Sequence, residues 1–207
     1  MAEALQTDWG RTMLDRKSFG AVTVAVCCGA SVLGVSQMPA QAQAPVQGVA
    51  QAAPARAASA VARARPKKGA LIGQIRIKRM RLKAAVRQGV GQAILRRGVG
   101  HYPGTGLPGR DGNTVLLGHR TTWLHPFNKL DRMRRGDRIV LRVGRVTYVY
   151  KVRTKRVIRP RDMRVLEPVP FKRASAPNGQ YITLITCTPK GSDAHRLVVV
   201  GTLQSKR

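Results

Sequence analysis

Past residue 69 the chain is a succession of short apolar blocks, each closed by glycine, proline, asparagine or aspartate. The block "LIGQIRIKRMRLKAAV" alternates apolar with basic residues, most clearly in "IRIKRMRL". A period of two sends one strand face inward and leaves the other, here basic, in water. One strand is expected over it. "GQAILRRG" reads as a short helical turn ending at Gly98, and "HYPGTGLPGRDGN" as a long loop. "TVLLGH" has the unbroken apolar character of a buried strand. "PFNKLDRMRRGD" predicts a short helix and a turn at Gly136 and Asp137, and "RIVLRVGRVTYVYKVRTKRVI" a hairpin turning near Gly144. "RDMRVLEPV" is a short helical piece, and "YITLITC" and "RLVVVGTL" are two closing strands. Seven to eight strands with short helices and no long one predict a mainly all-β fold, a closed or nearly closed β-barrel over residues 69–207.

The pattern ahead of the barrel is different. Arg16 and Lys17 precede an apolar run over residues 19–35 that is weakly hydrophobic and followed by "AQAQA". Residues 1–38 are expected to be a signal anchor or a cleaved signal peptide, and either one takes the bulk of the chain out of the cytoplasm. Residues 39–68, rich in Ala, Pro and Gln and then basic, lack periodicity and read as a disordered linker.

Charge sharpens this division. The net charge is +29, yet residues 1–17 hold three acidic and three basic residues and residues 18–55 hold none. The excess therefore begins at Arg56, and residues 56–97 carry 13 bases without an acid. Such a field attracts an anionic membrane or an acidic wall polymer. No folded nucleic-acid-binding motif accompanies it and aromatic residues are 4% of the chain, so no specific nucleic acid is expected.

Three cysteines are too few for a disulfide framework, and Cys27 and Cys28 sit together in the apolar run. Cys187, which ends "YITLITC", is the cysteine of the folded part. Alone it reads as a buried filler or a reactive thiol. A reactive thiol needs a group that favours thiolate, most often an imidazole. His119 ends the buried strand "TVLLGH", His101 and His125 lie in loops, and His195 precedes Arg196 at the start of "RLVVVGTL". A histidine at one strand end and a cysteine at another can meet at one rim of a barrel. Taken singly, His119 also reads as a structural histidine.

The combination resembles a known family. "TLITC", with Thr183, Leu184, Thr186 and Cys187, followed by an arginine opening the next strand, is similar to the sortase signature. "GHRTTW", "HPFNKLD" and the following "GD" resemble the sortase histidine region, and "HYPGTGLPG" the loop before it, most like class E of high-GC Gram-positive bacteria. Class E usually reads "CHP" after the cysteine; the ending here, "CTPKG…HRL", is more like pilin-type class C. The resemblance implies a cysteine transpeptidase on the cell surface. Cys187 would be the nucleophile, His119 the general acid/base and Arg196 the cationic stabiliser. Thr186, Thr183 and Arg120 are the candidate substrate-binding residues. The implied partners are secreted proteins bearing an LPxTG- or LAxTG-like sorting signal and an amine acceptor, a lipid-linked wall precursor or a pilin lysine. No cofactor is implied.

Two other functions compete. An L,D-transpeptidase also uses Cys and His, but would need an "SHGC"-type motif that "LITCTP" lacks. A non-catalytic module binding anionic wall polymer or membrane rests on charge alone. No metal is expected: Cys187 lacks a second cysteine for zinc, and the six acids from Asp111 to Asp193 are scattered, unlike a calcium cluster.

Overall fold

The computed structural model describes residues 65–207. The expected membrane segment over residues 1–38 and most of the linker lie outside them. Among the described residues no helix is long and apolar enough to cross a membrane.

Eight strands close into one barrel: β1 (Leu71–Ile77), β2 (Leu82–Gln88), β3 (Val99–His101), β4 (Gly112–Leu117), β5 (Arg138–Val143), β6 (Val146–Ile158), β7 (Gln180–Thr188) and β8 (His195–Lys206). Around the barrel the order is β1-β2-β3-β4-β7-β8-β6-β5, and β5 returns to β1. The pairs β2/β3 and β4/β7 are parallel and the others antiparallel. One four-residue helix, α1 (Gln92–Leu95), lies between β2 and β3. Short 3-10 turns cover Lys78–Met80, Leu130–Arg132 and Met163–Leu166.

The single strand expected over "LIGQIRIKRMRLKAAV" is two, β1 and β2, folded as a hairpin. The sequence carried the break. Lys78 and Arg79 are two bases in a row, so the apolar step from Ile77 to Met80 is three residues and not two. Arg81 takes a left-handed conformation, φ 53°, to complete the turn, and Met80 is buried. The basic stretch is therefore no free arm along its whole length: from Arg76 onward it belongs to the barrel.

Two apolar clusters divide the strands by face. Ile75, Ile77, Leu116, Ile139, Leu141, Tyr150, Ile182, Leu184 and Val199 fill the interior. Val115, Leu117, Ile185, Val198 and Val200 point the other way, under Val90, Tyr102 and Val165 with Leu95 and Phe171 packed alongside. The outer face of β4, β7 and β8 is thus roofed by α1 and by the 163–171 segment. All six residues of β4 are buried, which is why "TVLLGH" has no polar alternation.

Barrel closure depends on a close approach at Gly73. A Cβ there would collide with the carbonyl oxygen of Arg142 across the β1/β5 seam. Gly73→Ala is expected to cost about 1–3 kcal/mol, as overpacking does. Thermal unfolding followed by circular dichroism should show a midpoint lowered by several degrees, at roughly 2–4 °C per kcal/mol for a chain of this size. An unchanged midpoint would mean that the seam is not tight.

Candidate active site

The antiparallel β7/β8 pair sets Cys187 directly opposite Arg196. Directly opposed residues share a face, with Cβ atoms about 4.5–5.5 Å apart. Two residues further along the same face Ile185 opposes Val198, and both pack into the outer cluster. Cys187 and Arg196 therefore lie on the roofed side of the sheet, just past the end of its apolar floor. Cys187 is half-buried and free of disulfides. The Arg196 guanidinium is 4% exposed, and Nη1 donates to the carbonyls of Asp193 at 2.5 Å and His195 at 3.1 Å. Burial lowers its pKa, while Cys187 and Asp193 push it back up. An arginine stays a cation regardless, so the thiol faces a fixed positive charge in a poorly solvated place.

His119 follows β4 by two residues and is 3% exposed. Its backbone is bracketed against the end of β7. Gly118 donates N–H to the Ile185 carbonyl at 3.2 Å, and its own carbonyl accepts from Thr186 Oγ1 at 2.7 Å. On the other side, Arg120 Nη1 donates to the Cys187 carbonyl at 3.4 Å. The residues flanking His119 thus hold the two residues before Cys187 and Cys187 itself. Burial lowers the His119 pKa below the usual imidazole range, and the positive charge of Arg96 lowers it further. The charge that moves this imidazole is thus that of a cation.

The other candidates are committed to the framework. The Thr183 hydroxyl, fully buried, donates to Asn113 Oδ1 at 2.7 Å, and Asn113 Nδ2 donates to the carbonyls of Val165 and Glu167 at 2.9 and 3.1 Å. That chain of bonds ties the roofing segment to β4 and β7. Arg120 is 5% exposed and bonds in three directions: to the Cys187 carbonyl, to the Asn128 carbonyl at 3.1 Å and to Asp131 at 3.2 Å. Asn128 Nδ2 returns a bond to the Arg120 carbonyl at 3.0 Å.

The remaining histidines are elsewhere. His101, expected in a loop, ends β3 and is buried, its ring nitrogens 2.8 Å from Gln88 Oε1 and 2.9 Å from the Gly106 carbonyl. Flanking glycines hid that strand: a Cβ at Gly100 would strike the Gly89 carbonyl and Leu95. His125 and His195 are exposed. Among the described residues no group of three or more His, Cys, Asp or Glu is placed to hold a metal ion.

Two participants carried little sequence signal. Asn113 stands in "RDGN" and reads as a turn residue. Arg96, one of many bases, stacks on Trp123 with its guanidinium carbon 4.0 Å from the ring centroid, and puts its charge on His119.

Known proteins agree with this architecture. The sortase domain model matches residues 75–204. The chain is 37% identical over 121 residues to Sortase SrtE1 and 35% identical over 127 residues to Sortase SrtE2, both of Streptomyces coelicolor. These alignments take in 55% and 57% of the chain but only 34% and 49% of the two relatives, so it spans a third to a half of their length. Among solved structures, sortase E from Streptomyces avermitilis superposes with a TM-score of 0.62 at 33% identity, over 69% of this chain and 93% of that one. Sortase E1 from Streptomyces coelicolor with a tripeptide in the active site gives 0.63 at 32% identity, over 67% and 91%. With a matching domain model over most of the barrel and class E relatives in both comparisons, the chain belongs to the sortase family and is class E-like within it.

Proposed function

We propose that this protein is a cysteine transpeptidase acting on secreted proteins at the outer face of a Gram-positive cell membrane. Members of the sortase family are cysteine transpeptidases, and the observation that carries the reading to this chain is the register of Cys187 against Arg196 beside the bracketed His119. Cys187 is the nucleophile, His119 the general acid/base and Arg196 the cationic stabiliser. The substrate is an LPxTG- or LAxTG-like sorting signal, cut between Thr and Gly.

The chemistry follows from the charges. The Cys187 thiolate adds to the threonine carbonyl carbon, and the carbonyl electrons move to oxygen. Arg196 stabilises that oxyanion or holds the adjoining backbone, which a planar fork of donors does well. The tetrahedral adduct collapses as the protonated His119 gives its proton to the leaving glycine nitrogen, and a thioester remains. An amine acceptor, a lipid-linked wall precursor or a pilin lysine, attacks the thioester. His119 takes the amine's proton, the new amide forms and the thiolate departs. Burial and the charge of Arg96 favour the neutral imidazole, while the charge of Arg196 favours the thiolate. The basic linker ahead of β1 binds anionic membrane or wall polymer, and the apolar run over residues 19–35 serves as the anchor.

Thr183, Thr186 and Arg120, the candidate substrate-binding residues, are also placed to position the site through the frame. Their polar atoms are buried and bonded within the protein, and Arg120 fixes the carbonyl of the nucleophile itself.

Cys187→Ala should abolish cleavage of a sorting-signal peptide while preserving the melting transition. His119→Ala should lower turnover by roughly 10²–10⁴ and Arg196→Ala by roughly 10²–10³. Arg196→Lys should stay poor, since an ammonium lacks the fork. His125→Ala and His195→Ala should keep substantial activity. Near wild-type cleavage by the Cys187 variant would sink the enzyme reading, and an inactive His195 variant beside an active His119 variant would move the base.

Arg120→Met should act as the loss of a positioning group. Turnover should fall by roughly 10²-fold, the scale of a 1 Å misplacement, with KM changed only a few-fold. A rise in KM at constant kcat would restore the substrate-contact role.

Arg96→Gln removes a cation that opposes protonation of His119. The His119 pKa should therefore rise toward its usual value of about 6.5, as followed by its imidazole proton resonances. A downward shift would show that Arg96 does not act on His119 through its charge.

A further inference from the structure

Charge on the barrel strands is divided by position. β3, β4 and β7 carry no Lys, Arg, Asp or Glu, and none of the eight strands carries an acid. The bases concentrate on β2, β1, β5 and β6, which are neighbours around the barrel. On their outer face Arg76 stands directly opposite Lys83, and Arg138 directly opposite Lys151. Arg142 stands further along β5, opposite Gln74 of β1, and Arg153 follows Lys151 along β6. All six side chains are exposed, and among the described residues none is paired with a carboxylate. Directly opposed like charges destabilise a sheet. A solvated face needs polar residues, but it does not need them all positive. Aspartates are nearby, yet they sit in loops: Asp137, just before β5, is taken by Arg79.

The position of this face matters. Counting around the closed barrel, β1 is four strands from β7 in either direction, so it is diametrically opposite the strand that carries Cys187. The six bases are spread over four strands, roughly 15–20 Å across at about 4.8 Å per strand. They form a two-dimensional array on the outside of a closed barrel. A linear polyanion would follow one stripe of such an array, whereas laterally mobile anionic headgroups gather under its central bases and are drawn toward the flanking ones within a Debye length.

We propose that the outer face of β2-β1-β5-β6 is a docking surface for an anionic phospholipid bilayer. Seated on it, the barrel presents the β7/β8 site away from the lipid, toward the wall side. The basic linker leads directly into β1, so its charge enters the same field. Attraction of this kind is electrostatic and screened by salt, with a Debye length of roughly 10 Å at 0.1 M and 3 Å at 1 M.

The test is lysine footprinting of the full chain, which reads docking whether or not any peptide is cleaved. The protein is reconstituted into vesicles of phosphatidylcholine alone or mixed with phosphatidylglycerol and exposed to a membrane-impermeant amine reagent. Labelling of Lys83 and Lys151 is scored by mass spectrometry against Lys172 and Lys190, both exposed and in the loops on either side of β7. Lys83 and Lys151 should label several-fold more slowly on the anionic vesicles, with the ratio returning to its neutral-lipid value near 1 M salt. The triple variant Arg76→Gln, Arg138→Gln, Arg142→Gln should lose most of that protection, and for wild type the salt dependence gives the same reading without any mutation. Equal ratios in the two lipids, or equal protection of Lys172 and Lys190, would overturn the proposal. Stronger protection by soluble polyphosphate than by vesicles at equal phosphate would replace the bilayer with a wall-type polymer.

Discussion

The register between β7 and β8 is the constraint on which the site depends. A shift of one residue would turn every side chain of one strand to the opposite face. Here both faces are packed into clusters, so a slip would break specific contacts on both sides at once. Leu184 and Val199 fill the barrel while Ile185 and Val198 meet the roof, and each pair is in direct cross-strand register. With these pairs fixed, Cys187 falls opposite Arg196. The geometry of thiol and guanidinium is thus inherited from core packing, on rigid strands and not on a loop.

The same packing explains why charge acts strongly there. The site is built on β4 and β7, which carry no Lys, Arg, Asp or Glu, together with β8, which contributes Arg196, and its floor is aliphatic. Charges in such surroundings are poorly screened. Arg196 and Arg96 are the cations that bear on it, one on the thiol side and one on the imidazole side. The first favours the thiolate, and the second holds the imidazole below its usual pKa. The barrel's charge is divided as well, with β3, β4 and β7 free of Lys, Arg, Asp and Glu and most strand bases on β2, β1, β5 and β6.

Much of this was legible in the chain. The alternation in "RIVLRVGRVTYVY", the unbroken "TVLL" and the closing pair of apolar blocks gave strands that the fold contains, because the period-two pattern is set by burial and burial is what the barrel requires. The hairpin hidden in "IRIKRMRL" was misread, since a turn built on Arg81 lacks the glycine or proline that usually punctuates one. His101 was assigned to a loop because Gly98 and Gly100 mask a three-residue strand whose glycines serve close backbone approach. The catalytic candidates stood out by residue type and motif. Arg120, Asn113 and Arg96 took their roles from contacts across 67, 70 and 23 residues of sequence, to Cys187, Thr183 and His119. No local pattern encodes pairings of that range. A buried arginine that binds three backbone and side-chain partners looks, in sequence, like any other arginine in a very basic chain.

The central claim is that Cys187 carries the acyl group between donor and acceptor. The direct measurement is intact-protein and peptide mass spectrometry of the full chain mixed with a library of LxxTG peptides and no added amine. An adduct equal in mass to the peptide up to its threonine, located on Cys187 and discharged by an added amine with formation of the new amide, is the expected result. Cleavage that proceeds while Cys187 remains unmodified, or an adduct located on any other residue, would contradict the account.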